Sequence, residues 1–89
     1  MASRRTLAEA LTSFNHSLKH QPNYVEALNN RGTALQALDR HEEALASFDR
    51  ALALRPVDTE VLCNRGNTLE QLDRPEAALA NFERALALR

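Results

Sequence analysis

An all-α fold follows from three observations on this 89-residue chain. Ala and Leu, both strong helix formers, fill 15 positions each, so 30 of 89 residues favour helix. Only 2 Gly and 3 Pro are present, too few to turn a many-stranded sheet, and aromatic residues amount to 4%. Finally, the sequence repeats itself with a period of 34 residues. Residues 25–55 laid over 59–89 are identical at 20 of 31 positions, including Asn30-Arg31-Gly32 over Asn64-Arg65-Gly66. A further shift sets Glu9-Ala10-Leu11 and Ser13-Phe14 over Glu43-Ala44-Leu45 and Ser47-Phe48. The chain therefore reads as a lone helix (5–21) followed by two helix-pair units (24–57 and 58–89), within one domain spanning 1–89.

Five helices are expected, near 5–20, 24–38, 41–54, 58–72 and 75–88. The second is opened by Asn23-x-x-Glu26 after Pro22, a capping box in which the Asn side chain would accept from the backbone of the first turn. Asp58 plays the same part for the fourth. Asp39-x-x-Glu42 and Asp73-x-x-Glu76 mark the starts of the third and fifth, and Pro75 suits a first turn, where its missing N–H has no partner to lose. Each helix is about 20 Å long and unstable alone, so packing must hold it.

The apolar spacing shows where that packing lies. Leu28, Leu35 and Leu38 form one stripe, and Leu62, Leu69 and Leu72 repeat it. Ala44-Leu45, Phe48 and Leu52 form another, matched by Ala78-Leu79, Phe82 and Leu86. Gly32 and Gly66 sit mid-helix, where Gly costs about 1 kcal/mol relative to Ala. Recurrence at one register predicts a tight helix crossing that offsets this cost.

These residues resemble the tetratricopeptide repeat, a 34-residue helix–turn–helix unit. The resemblance rests on Leu28, Gly32, Leu35, Ala44, Phe48, Ala51 and Pro56, and again on Leu62, Gly66, Leu69, Ala78, Phe82 and Ala85, with Ala10, Phe14 and Pro22 as a partial third copy. Leu28 and Leu62 replace the family's usual Trp, Leu35 and Leu69 its Tyr, and Ser17 an expected Ala. The Ala/Leu-rich character, with 10 Arg against 1 Lys, is similar to bacterial members. What the resemblance implies is a right-handed α-solenoid whose first-type helices line a groove for an extended peptide or a partner helix.

On that reading the groove face carries Glu26, Asn29, Asn30 and Thr33 from the first unit and Glu60, Cys63, Asn64 and Asn67 from the second. Stacking superposes like positions, so Asn30 and Asn64 are expected to form a ladder able to clamp a peptide backbone through their paired donors and acceptors. A similar ladder marks the repeat domain of O-linked N-acetylglucosamine transferase. This raises the alternative of an accessory substrate-binding segment in a larger glycosyltransferase. A clamp for a terminal carboxylate is disfavoured, because Glu26 and Glu60 stand where it would need Lys or Arg. Asn30 and Asn64 also admit a plainer role, bonding the neighbouring helix.

Other chemistry finds little support. With a net charge of −1 the chain lacks the basic footprint of a nucleic-acid binder. No 18-residue apolar run is present to span a membrane, and Arg4-Arg5 is not followed by a cleavable apolar core, so a cytoplasmic location is expected. The sequon Asn15-His16-Ser17 falls inside a helix. His16 and His20 share a helix face, but no third ligand joins them, and lone Cys63 has no basic neighbour to activate it. No nucleophile–base pair or phosphate-cradling glycine loop assembles. Neither catalysis nor a cofactor is expected.

Arg31 and Arg65 adjoin the core stripe and are expected to pack their stems while their heads stay in water. Arg50 and Arg84 read as part of a mixed solvated face. Solenoids need polar end caps, and the stripes around Leu7, Leu11 and Leu18 and around Leu79, Phe82 and Leu86 are expected to lie uncovered. Uncovered apolar faces mark interfaces: either the chain is a piece of a longer array or its ends associate with other copies, and a homo-oligomer is expected.

Overall fold

The computed structural model describes residues 3–88. Five helices follow one another: α1 (Arg4–His20), α2 (Val25–Ala37), α3 (His41–Leu54), α4 (Thr59–Gln71) and α5 (Pro75–Ala87). No strand occurs among the described residues. Helices α2 and α3 form one antiparallel pair and α4 and α5 the next, with α1 packed on α2 and α3 on α4. The fold is an α-solenoid, and the predicted helix bounds hold to within a residue or two.

Its centre is the crossing of α2 and α3. Leu28, Leu35, Ala44, Phe48 and Ala51 are fully buried there. A Cβ built on Gly32 would lie 2.5 Å from Phe48 Cε1, and one on Gly66 2.7 Å from Phe82 Cε1. The recurring glycine is therefore the seat of the recurring phenylalanine, and the close crossing inferred from it is present in both units.

The caps differ from expectation. Asp58 caps α4, its Oδ1 accepting from the Val61 N–H at 3.1 Å. In the preceding unit Tyr24 occupies the equivalent place and no side chain caps α2; Asn23 lies one residue too early to do so. Nor do Asp39 and Asp73 open helices, since Arg40 and Arg74 are the N-cap residues of α3 and α5. The two aspartates instead close α2 and α4 in the left-handed region, with φ of 62° and 58°. Around them the Arg40 N–H donates to Leu35 O at 2.8 Å and the Asp39 N–H to Gln36 O at 3.0 Å; Arg74 and Asp73 repeat the pattern on Leu69 and Glu70. This paired bonding is a Schellman termination, a place that favours Gly and tolerates Asn or Asp. Asp73→Gly is accordingly expected to stabilise the fold by up to about 1 kcal/mol, and β-branched Asp73→Val to destabilise it by at least as much. Thermal melts in which neither variant shifts the transition would show that this position carries no strain.

The two ends are also unlike each other. Leu11 and Leu18 of α1 are buried, because α1 lies on α2 as α3 lies on α4. The expectation of an open leucine face at this end is corrected. Leu7 and Phe14 stay partly exposed, and the counterpart of Phe14, Phe48, is seated on a glycine of its own pair. On α5 the expectation holds, since Leu79 and Leu86 face solvent.

Candidate functional site

The first-type helices α2 and α4 run side by side, Val61 of α4 sharing the core with Ala27 and Leu28 of α2, and a polar network joins them. Asn64 Nδ2 donates to Asn29 Oδ1 at 2.9 Å, and Asn29 Nδ2 donates to Glu60 Oε1 at 3.3 Å. Farther along, the Thr68 hydroxyl donates to Gln36 Oε1 at 2.9 Å. Asn29 and Thr68 are both buried, so these bonds satisfy groups that would otherwise be desolvated without partners. The face between the helices is thus polar by construction.

Two hollows open on it. One, of about 230 Å³, is lined by Val25, Glu26, Asn29, Asn30, Arg55, Asp58 and Glu60. Three carboxylates against one guanidinium make it acidic, and Arg55 already lies 3.6 Å from Asp58. The other, of about 420 Å³, has Thr33, Gln36, Asn64, Asn67 and Gln71 in its walls, with Asp39 and His41 at one end. Cys63 is apart from both. It is exposed and lines a third hollow, of about 270 Å³, with Thr59, Glu60, Phe82, Ala85 and Leu86.

The eight residues assigned to the groove from sequence all line one of these hollows, but they do not act alike. Asn29 is buried and belongs to the stacking network rather than to the surface. Asn64 is half-buried, and its amide reaches Asn29, not Asn30. Of the two positions expected to form the ladder, Asn64 thus also bonds the neighbouring helix, while Asn30 stays exposed. Glu26, Asn30, Thr33 and Asn67 remain exposed along the furrow. Gln36, Thr68 and Gln71 join the site from outside the eight, and their only signal in the sequence is polarity beside the leucine stripe.

The arginines of α2 and α4 correct another expectation. Arg31 Nε donates to Asn15 Oδ1 on α1 at 2.6 Å and Nη1 to Ser47 Oγ on α3 at 2.5 Å. Arg65 Nε donates to Asp49 Oδ1 on α3 at 2.8 Å and Nη1 to Asn81 Oδ1 on α5 at 3.3 Å. Each head ties three helices together instead of standing in water. Burial lowers the Arg31 pKa, opposed by Glu43 and reinforced by Arg50 and Arg40, yet a guanidinium so placed stays charged. Arg50 and Arg84 also have fixed partners, donating to the carbonyls of Pro22 at 3.3 Å and Pro56 at 3.2 Å.

No group of three or more His, Cys, Asp or Glu side chains among the described residues is placed to hold an ion. The rings of His16 and His20 meet edge to face, with centroids 4.8 Å apart. No helix among the described residues is long and apolar enough to cross a membrane.

A family model described as tetratricopeptide repeat matches residues 24–89. The chain belongs to the tetratricopeptide repeat family. Among solved structures it is similar to MamA from AMB-1, with 31% identity and a TM-score of 0.88 over 93% of this chain and 49% of that one. MamA from MSR-1 gives 30% identity and a TM-score of 0.87, covering 92% and 47% respectively. A shorter MamA mutant chain gives 27% and 0.79, covering 97% of this chain and 80% of that one. The chain thus spans about half the length of the first two structures. No curated protein matches it.

Proposed function

We propose that this chain is a non-catalytic protein-interaction module whose α2–α4 furrow takes an extended peptide or a partner helix, and whose open end associates with other copies. The observation that supports the furrow is its exposed row of Asn30, Thr33 and Asn67, beside hollows of about 230 and 420 Å³. Each carboxamide offers a donor and an acceptor, which suits a peptide backbone irrespective of side chain. Glu26, Asp58 and Glu60 repel a terminal carboxylate and favour a neutral or basic segment. The alternative of a glycosyltransferase accessory segment rests on the Asn30–Asn64 ladder, of which Asn64 also bonds Asn29.

A library of displayed peptides tests the furrow. Selected sequences are expected to be uncharged or basic. Asn30→Ala/Asn67→Ala is expected to weaken them about tenfold, because two backbone hydrogen bonds are worth about 1–3 kcal/mol together, with the melting temperature unchanged. Equal binding by the double variant would remove the furrow from the mechanism.

A further inference from the structure

The face by which a second-type helix meets its pair partner recurs three times and is covered twice. On α3 it consists of Ala44, Ser47, Phe48 and Ala51, all fully buried against α2. On α5 the same positions hold Ala78, Asn81, Phe82 and Ala85, largely closed by α4. On α1 they hold Ala10, Ser13, Phe14 and Ser17, and no helix among the described residues lies over them. Ala10 and Phe14 are partly exposed, and Ser13 and Ser17 stand in solvent. Phe48 and Phe82 rest on Gly32 and Gly66, which are the two glycines of the chain, so Phe14 has no such seat.

A polar set at the same edge is also unpaired. Asn29 on α2 accepts from Asn64 and donates to Glu60, both on α4. One period earlier the counterparts of Asn64 and Glu60 are Asn30 and Glu26, and both are exposed. Helix α2 thus serves two neighbours at once. It pairs with α3, setting Gly32 under Phe48 and Arg31 on Ser47, and it stacks on α4 through Asn29. Helices α1 and α2 are related as α3 and α4 are, so one helix of the α2 pattern laid over α1 meets both sets. Its glycine seats Phe14, its arginine reaches Ser13, and its asparagine lies beside Asn30 and Glu26. An apolar set and a polar set, on different helices, specify the same occupant. Docking uncovers nothing in return, because Leu11 and Leu18 stay buried against α2 on the other side of α1.

We propose that the edge formed by α1 and α2 binds an amphipathic partner helix carrying Leu-Asn-x-Arg-Gly-x-x-Leu, the run that α2 itself holds from Leu28 to Leu35. The edge selects by these side chains, whichever polypeptide presents the helix. Close approach is the first requirement, since any side chain at the glycine position would strike Phe14 as a Cβ on Gly32 would strike Phe48. Ser17 stands where α3 has Ala51, so the joint is more polar than the α2–α3 pairing and weaker than it. The site lies beside the α2–α4 furrow and goes beyond it, sharing Glu26 and Asn30.

The probe is a labelled synthetic peptide of residues 24–38, titrated with the full chain and read by fluorescence anisotropy, with circular dichroism following its helix content. Saturable binding is expected, and the peptide, unstable as a helix alone, should gain helix on binding. Gly32→Leu in the peptide is expected to weaken binding at least about tenfold, and so is Phe14→Ala in the chain. Arg31→Met in the peptide is expected to weaken it about threefold. The peptide variants leave the fold of the chain untouched, so their losses report on the seat itself. A parent peptide that fails to bind overturns the proposal, as does binding that survives both Gly32→Leu and Phe14→Ala. Binding that is lost with Leu79→Glu in the chain but kept with Phe14→Ala places the helix on α5 and also overturns it.

Discussion

Gly32→Ala is expected to lower the melting temperature, although the same replacement in an open helix would raise it. The helix itself favours Ala over Gly by about 1 kcal/mol. Against that, the new Cβ would stand 2.5, 2.7 and 2.8 Å from three ring atoms of Phe48. Overpacking of this kind costs about 1–3 kcal/mol and occasionally more. Phe48 is fully buried among Leu28, Leu35, Ala44 and Ala51 and has no free direction to move. A net loss of up to about 2 kcal/mol is expected, or up to about 15 °C in a domain of this size. The matched replacement Gly66→Ala supplies the control. Its Cβ would meet Phe82 at 2.7 Å, but Phe82 borders solvent on the open α5 face and can give way. Differential scanning calorimetry should find Gly66→Ala close to neutral and Gly32→Ala clearly destabilised, with Gly32→Leu lower still. Equal shifts at the two glycines would mean that coverage by a following helix does not set the rigidity of the phenylalanine.

This contrast illustrates what the sequence makes legible. A 34-residue identity that keeps Gly, Phe and the leucines in register determines which faces meet, and the five helices and their pairing follow from it. Periodicity reports apolar burial well because burial needs only spacing. It reports polar geometry poorly because a side chain of four or five bonds can reach any of several partners. Asn64 stands at the ladder position yet bonds Asn29, one residue out of register, since Asn29 is the nearer buried group that needs an acceptor satisfied. Asp39 and Asp73 end helices instead of opening them for a related reason. An aspartate three residues before a glutamate satisfies the pattern of a capping box, and only the backbone angle distinguishes a helix start from a left-handed helix end. The arginine ties do carry a signal in the sequence: Asn15, Arg31 and Ser47 are spaced by 16 residues, as are Asp49, Arg65 and Asn81. Polar residues that recur together at such spacing bridge consecutive helices. The groove is the least legible part. The eight positions do line hollows, but which amides are free to meet a ligand depends on which are already bonded across the stack.

Arg31→Met is expected to destabilise the chain by about 1–3 kcal/mol, and by more than Arg65→Met. Methionine keeps much of the packed stem, so the loss reports on the head. Ser47 is fully buried and receives Arg31 Nη1 at 2.5 Å, so removing the head leaves a desolvated hydroxyl without its donor. An orphaned buried group of this kind costs about 1–3 kcal/mol. At the second site Asn81 keeps its Nδ2 bond to Ala77 O at 2.9 Å and its Oδ1 loses only a long 3.3 Å donor when Arg65 is removed, while exposed Asp49 returns to water. About 1 kcal/mol is expected there. Two further readouts separate this from a general loss of packing. Arg31→Met/Ser47→Ala should be less destabilised than the sum of its single variants, by about 1 kcal/mol, because no unpaired hydroxyl remains. Salt should also distinguish the sites. Arg31 bonds two neutral acceptors, so its contribution should hold at high ionic strength, whereas the Arg65–Asp49 pair is partly exposed and should be screened. If the two penalties are equal and equally sensitive to salt, the arginines act only through their stems, and the three-helix ties contribute nothing to stacking.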